Sequence, residues 1–185
     1  MILWKIILLV SATAGFLYIS RRSLRDPRSH GFYRFFAWET ILILFLLNVS
    51  YWFDNPYAWY QMFAWTLLFL CILPVVWGAI LLHKRGKPVE KRKEDPNLLA
   101  FEKTSNLVKS GIYRYIRHPL YSSLLLMAWG IFFKQPSWAG GTLAVVASGF
   151  LVLTAQADEA ECIQFFGPAY EEYMKNTKRF IPFLF

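Results

Sequence analysis

Apolar residues along the chain gather into five runs separated by short polar stretches: Ile2 to Ile19, Phe35 to Phe53, Trp59 to Leu82, Leu120 to Phe133 and Trp138 to Ala155. A membrane-crossing helix takes about 20 predominantly apolar residues, with about 17 as the lower limit. The third run meets that length outright. The fourth falls short, so it is expected to draw Pro119 into the interface, to tilt, or to form a tight hairpin with the fifth through Lys134-Gln135-Pro136-Ser137. The first run resembles a signal peptide around Ala12-Thr13-Ala14, but it continues through Phe16 to Ile19 and is stopped by Arg21-Arg22, which predicts an uncleaved helix. The fold class expected is all-α: a polytopic membrane protein with about five transmembrane helices and short cytoplasmic C-terminal helices. One membrane domain, 1–185, divides into three N-terminal helices (1–82), a connecting segment (83–118) and a two-helix core with its tail (119–185).

Past the fifth run the period changes. Cys162, Ile163 and Phe166 share a face with Glu159 one turn earlier, which predicts a short amphipathic helix. Gly167-Pro168 ends it and opens another, since glycine suits a helix C-terminus and proline a first turn. On that second helix Tyr170, Tyr173, Met174 and Thr177 form a stripe, and Glu171 with Lys175 is a favourably oriented i,i+4 pair.

Composition then selects the class. At 56% hydrophobic and 19% aromatic residues the chain is too apolar for a water-soluble domain of its size. The net charge of +8 points to topology rather than to nucleic acid, because the basic residues cluster between apolar runs. Arg21, Arg22, Arg25, Arg28 and Arg34 face one Asp26, and ten lysines and arginines lie between runs three and four against Glu90, Glu94, Asp95 and Glu102. The opposite connections hold only Asp54 and Lys134. By the positive-inside rule the N-terminus is outside, with both long loops and the C-terminal tail in the cytoplasm. Gly86 to Asn97, with Lys91-Arg92-Lys93, reads as a charged surface loop that sets topology and could also attract anionic headgroups. Cys71 and Cys162 offer no disulfide framework, and no metal-ligand pattern is present.

The candidate chemistry lies on the cytoplasmic side. The chain reads Leu107-Val108, Gly111-Ile112-Tyr113 and Arg117-His118-Pro119-Leu120-Tyr121 before run four, then Asp158-Glu159, Phe166-Gly167, Tyr170, Tyr173 and Pro182 after run five. Pro119 at a helix start leaves backbone N–H groups open to an anion. His118 precedes it in the cap region, and Tyr121 faces the same way. Glu39, the one acid inside an apolar run, is a candidate by virtue of its cost there.

These stretches resemble the isoprenylcysteine carboxyl methyltransferase and phospholipid methyltransferase superfamily, integral-membrane enzymes that take a methyl group from S-adenosylmethionine. The resemblance runs from about Leu107 to the end, and nothing before Lys103 carries it. It implies that Leu107, Val108, Gly111 and Tyr113 pack around the adenosine, that His118, Pro119 and Tyr121 bind the amino-acid part of the donor, and that Asp158 and Glu159 close the pocket. Arg117, Glu159 and Tyr121 are the implied catalytic residues, Arg117 by handling a substrate carboxylate. The donor's sulfonium favours π faces and carboxylates, so Tyr113, Tyr121 and Glu159 are of the right type. The expected acceptor is lipid-like or a hydrophobic small molecule drawn from the membrane. A departure is Thr154, where the carboxyl methyltransferases place an arginine one turn before the acidic pair; a prenylcysteine carboxylate is therefore not the expected acceptor. Two other readings compete: a nicotinamide-dependent membrane reductase related to the sterol reductases, and a non-enzymatic scaffold or transporter.

Overall fold

A computed structural model describes residues 2–86 and 104–184. Most of the charged loop read over Gly86 to Asn97, with Lys91-Arg92-Lys93, lies outside the described residues. The described chain forms seven α-helices: α1 Ile2–Ser20, α2 His30–Asn48, α3 Trp59–Leu70, α4 Ile72–Arg85, α5 Pro119–Phe132, α6 Trp138–Phe166 and α7 Pro168–Lys175. Four stretches are long and apolar enough to cross a membrane: α1, α2 with its following turn, α3 with α4, and α6. At 14 residues, α5 is the short apolar helix that the fourth run predicts.

The helix boundaries correct the sequence reading in three places. The second run starts at His30 rather than Phe35, because the Ser29 side chain caps the helix by accepting from the Gly31 N–H. The third run is interrupted at Cys71: Pro74 lacks an N–H, and its ring would press on the Leu70 carbonyl, so the run divides into α3 and α4. The separate amphipathic helix expected after run five does not exist. Nothing between Trp138 and Gly167 stops a helix, so α6 runs unbroken for 29 residues. That is about 44 Å at 1.5 Å per residue, against a hydrocarbon core of about 30 Å. Its last turns therefore emerge from the apolar layer and carry Asp158 and Glu159 to the interface.

Small residues let the helices approach closely. Ile41 and Leu44 of α2 pack with Ala144 and Ala147 of α6 and with Ala128 and Ile131 of α5, the kind of close packing that membrane helices rely on. A Cβ at Gly130 would lie 2.9 Å from Leu68 Cγ, so α5 meets α3 only because that position has no side chain. The peripheral helix α1 leans on α2 and turns Ile2, Leu3, Ile7 and Val10 outward. Their exposure suits a lipid environment.

At the end away from the motifs, a buried polar lock joins the α2–α3 and α5–α6 connections. Lys134, 0% exposed, donates through Nζ to Gln61 Oε1 at 2.8 Å and to the Trp52 carbonyl at 3.1 Å. Its ammonium sits 3.6 Å from the centre of the Trp65 ring. Gln61 Nε2 donates to the Lys134 and Tyr51 carbonyls, and Asn48 Nδ2 donates to the Ile131 carbonyl. The residue read as a loop charge is thus an internal strut. Replacing Lys134 with methionine leaves two buried acceptors unmet, each worth about 1–3 kcal/mol. Thermal unfolding in detergent should show a clearly lowered midpoint, and an unchanged midpoint would show that the lock contributes nothing.

Candidate functional site

At the opposite end the C-terminal tail runs beside the segment that leads into α5. Lys178 N–H donates to the Tyr115 carbonyl at 3.0 Å, Arg117 N–H to the Lys178 carbonyl at 2.8 Å, and His118 N–H to the Arg179 carbonyl at 3.1 Å. This ladder sets the backbone of Arg117 and His118 immediately before Pro119, the first residue of α5. Upstream, Gly111 opens a 3₁₀ turn with φ +62°, and a Cβ there would lie 2.5 Å from Leu81 Cδ1. The turn is thereby pressed against α4 with Tyr113 inside. The Tyr173 hydroxyl donates to the Tyr113 carbonyl at 2.6 Å, joining α7 to the same turn.

A cavity opens among these elements. Its walls are Leu82 of α4, Asn106, Leu107 and Val108 of the connector, Tyr113, the run Arg117 to Tyr121, Asp158, Cys162 and Phe166 of α6, and Tyr170 and Tyr173 of α7. Of the residues that the sequence singles out, Leu107, Val108, Tyr113, Arg117, His118, Pro119, Tyr121 and Asp158 meet here. Gly111 and Glu159 do not line the wall: the glycine shapes the turn, and Glu159 stands behind it.

His118 is wedged between the acidic pair. Its Nδ1 lies 3.4 Å from Asp158 Oδ2 and its Nε2 3.2 Å from Glu159 Oε1, while the ring stacks on Tyr121 with centroids 5.3 Å apart. Burial pushes the imidazole pKa down, but hydrogen bonds and charge from Asp158 and Glu159 outweigh it, and the net shift is upward. Burial pushes the Tyr170 and Tyr173 phenols up as well, which keeps both neutral as hydrogen-bonding groups.

Glu159 is 4% exposed and collects cations from both sides. Arg117 Nε donates to Oε1 at 2.9 Å; Arg179 donates from Nε to Oε1 at 3.1 Å and from Nη2 to Oε2 at 2.6 Å. Arg117 Nη1 also donates to the Met174 carbonyl and to the Thr177 carbonyl and hydroxyl. Arg117 therefore braces Glu159 and the tail. Thr154 is fully buried, with its hydroxyl donating to the Phe150 carbonyl of its own helix. Glu39 accepts from Thr13 Oγ1 at 2.9 Å and tethers α1 to α2, away from the cavity. On α7 the expected Glu171–Lys175 pair is replaced by an exposed one, Lys175 Nζ to Glu172 at 3.1 Å.

Three members of this network carry no signal in the spacing of the chain. Arg179 reads as one more basic tail residue, and His30 and Glu161 lie 131 residues apart. The His30 backbone N–H donates to Glu161 Oε1 at 2.8 Å, and ring Nδ1 lies 2.7 Å from Oε2. Arg34 Nη1 stands 3.3 Å from His30 Nε2. A guanidinium only donates, so Nε2 is the acceptor and Nδ1 carries the proton to Glu161. The ligand atoms of His30, Asp158 and Glu161 lie within 4.8 Å of one another. A metal ion on Nδ1 would shift the ring proton onto Nε2, against the guanidinium, so the cluster is a hydrogen-bonded clasp between α2 and α6 instead.

These features define the class: an all-helical membrane protein with a charged and aromatic cavity at one end of its bundle. Comparison with known proteins carries this further. The family model described as phospholipid methyltransferase matches residues 96–168. A protein-S-isoprenylcysteine O-methyltransferase of Schizosaccharomyces pombe is 33% identical over 42% of this chain and 34% of its own length. A methanethiol S-methyltransferase of Pseudomonas deceptionensis is 28% identical over 40% of this chain and 27% of its own, and a methanethiol S-methyltransferase 2 of Bradyrhizobium diazoefficiens is 29% identical over 40% and 28%. The matched region thus spans about a third or less of these curated relatives. No solved structure gives a significant match. The C-terminal part of the chain is thus similar to phospholipid methyltransferases and to isoprenylcysteine and methanethiol methyltransferases.

The upward shift makes His118 a source of pH-dependent stability. A histidine whose folded pKa exceeds its unfolded value of about 6.5 stabilises the fold fully below that value, and the contribution is lost as pH rises through the folded pKa. The unmodified protein should therefore exceed His118→Gln in thermal stability by more at pH 6 than at pH 9. An equal difference at both would contradict an imidazole whose charged form is favoured by the acidic pair.

Proposed function

We propose that the protein transfers a methyl group from S-adenosylmethionine to a lipophilic or amphiphilic acceptor, with the cavity facing the cytoplasm. One observation carries the reading: residues from the connector, the start of α5, the end of α6 and α7 converge on a single cavity, among them Asp158, His118 and the rings of Tyr113, Tyr121 and Tyr170. Those groups suit the donor. A sulfonium is met by a carboxylate and by π faces, an amino-acid carboxylate by the N-terminal turn of α5 beside His118, and an adenosine by Leu82, Leu107 and Val108. S-adenosylmethionine supplies an activated methyl group for in-line displacement. The chain's own task is to position donor and nucleophile and to keep water out, which needs few catalytic side chains.

The acceptor class follows from where the cations point. Arg117 is turned onto Glu159 and Thr177, and Thr154 onto its own helix. An arginine pair aimed at an acceptor carboxylate is absent among the described cavity residues, which favours a thiol or amine nucleophile over a carboxylate. The methanethiol S-methyltransferases among the relatives agree with that choice. Asp158, side chain 23% exposed and on the cavity wall, is the carboxylate best placed to face the reacting groups.

Calorimetry on detergent-purified protein should show binding of S-adenosylhomocysteine and none of a nicotinamide dinucleotide. The reverse would replace the reading with the reductase. Transfer to an alkyl thiol should exceed transfer to N-acetyl farnesylcysteine, and robust turnover of the latter would show that Arg117 can serve a carboxylate after all. Orientation is checked separately by labelling Asn55→Cys, which should react only from the side opposite the cytoplasm.

A further inference from the structure

Arg179 holds both carboxylate oxygens of Glu159 through Nε and Nη2 yet does not line the cavity. The same residue's carbonyl accepts from the His118 N–H. Its neighbour Phe180 is buried with Ala37, Tyr121, Leu151 and Ala155, and accepts from Ser122 Oγ at 2.8 Å. One short stretch of tail therefore fixes both the backbone of His118 and the carboxylate on which its Nε2 rests. We propose that Arg179 is a positioning residue of the methyl-donor site, acting through Glu159 to set the orientation and charge of His118, and so keeping Asp158 as the carboxylate on the cavity wall.

The physical reason is competition for Glu159. A carboxylate this buried must be matched by cations, and a bidentate arginine matches it best. With Arg179 in place, Glu159 is shared among two guanidiniums and one imidazole. Without it, Glu159 pulls harder on His118 and one positive charge leaves the imidazole's surroundings. Both changes raise the His118 pKa and draw the ring away from Asp158. The other charged and titratable groups around this point are Asp158 on α6, Tyr121 on the helix that follows His118 and Arg117 just before it. Beyond the carboxylates stand Cys162, Glu161 with His30, Tyr170 and Tyr173, and none of them offers a second fork to Glu159.

The proposal rests on the donor reading above, and its test separates the two. The chain has three histidines, so ring signals of isotopically labelled histidine can be followed against pH in the full-length protein, with His118 assigned by His118→Gln. Arg179→Gln should move the His118 midpoint to higher pH and weaken S-adenosylhomocysteine binding about tenfold or more, the scale of a lost charge-assisted bond. Arg179→Lys keeps the charge but not the fork, so the midpoint should return toward the native value while affinity recovers only in part. If Arg179→Gln does not fold, Arg179→Lys decides: native affinity in that variant overturns the need for a fork. An unmoved midpoint with unchanged affinity in Arg179→Gln overturns the proposal. If the unmodified protein binds no S-adenosylhomocysteine the donor reading falls, while the His118 titration still reports whether Arg179 controls the imidazole.

Discussion

Burial of the Glu159 carboxylate is the constraint around which the cavity end of the molecule is arranged. A carboxylate removed from water is tolerable only when cations and hydrogen-bond donors replace the lost hydration. Here they come from far apart in the chain: Arg117 and His118 from the connector, Arg179 from the tail. Satisfying one side chain thus forces the tail to lie beside the residues entering α5. It also fixes Asp158, which sits one residue away and about 100° around the helix. With Glu159 anchored inward, Asp158 turns to the cavity. The acidic pair thereby divides its labour, Glu159 holding the architecture and Asp158 facing the cavity.

A second consequence is the separation of polar and apolar work along the bundle. In hydrocarbon every polar group must find its partner within the protein. The polar clusters accordingly lie at the two ends, the Lys134–Gln61–Asn48 lock at one and the charged network at the other. Between them α2, α5 and α6 meet through alanine and aliphatic side chains. The Lys134 lock and this small-residue packing make the helices a stiff frame. The length of α6 then carries the cavity just past the apolar layer, where on the proposed function a water-soluble donor and a membrane-dissolved acceptor would reach it from different sides.

Much of this arrangement is legible in the order of residues alone. The apolar runs locate the membrane helices, and the short fourth run is short in fact. Proline, glycine and the aromatic stripe place the start of α5, the end of α6 and the buried face of α7, because those signals act within a few residues. What escapes a linear reading is non-local. His30 looks like a polar residue ahead of an apolar run, yet Ser29 caps it into α2 and Glu161 meets it from the far end of the chain. Arg34 counts as a topology charge by position but is buried in the bundle. Arg179 has no spacing relation to Glu159 that a sequence pattern would reveal. The continuity of α6 is hidden for another reason: a change from apolar to amphipathic period marks where the helix leaves the apolar layer, and it does not require the backbone to break.

The clasp between His30 and Glu161 bears on the half of the chain that lies before the matched region. The family resemblance begins only after α4, so α1 to α3 would pass for an anchor with no bearing on the chemistry, were it not for two contacts. Ala37 of α2 packs with Tyr121 of the cavity wall, alongside Leu151 and Ala155. His30 of the same helix grips α6 within one turn of Asp158. A shift of α2 along α6 would therefore move the pocket-facing carboxylate and the tyrosine stacked on His118 together. Helix α2 sets the depth and rotation at which the acidic pair is presented, and for the methyl transfer proposed above, where alignment supplies most of the catalysis, that would be a functional contribution even though no side chain of α1 to α3 lines the cavity.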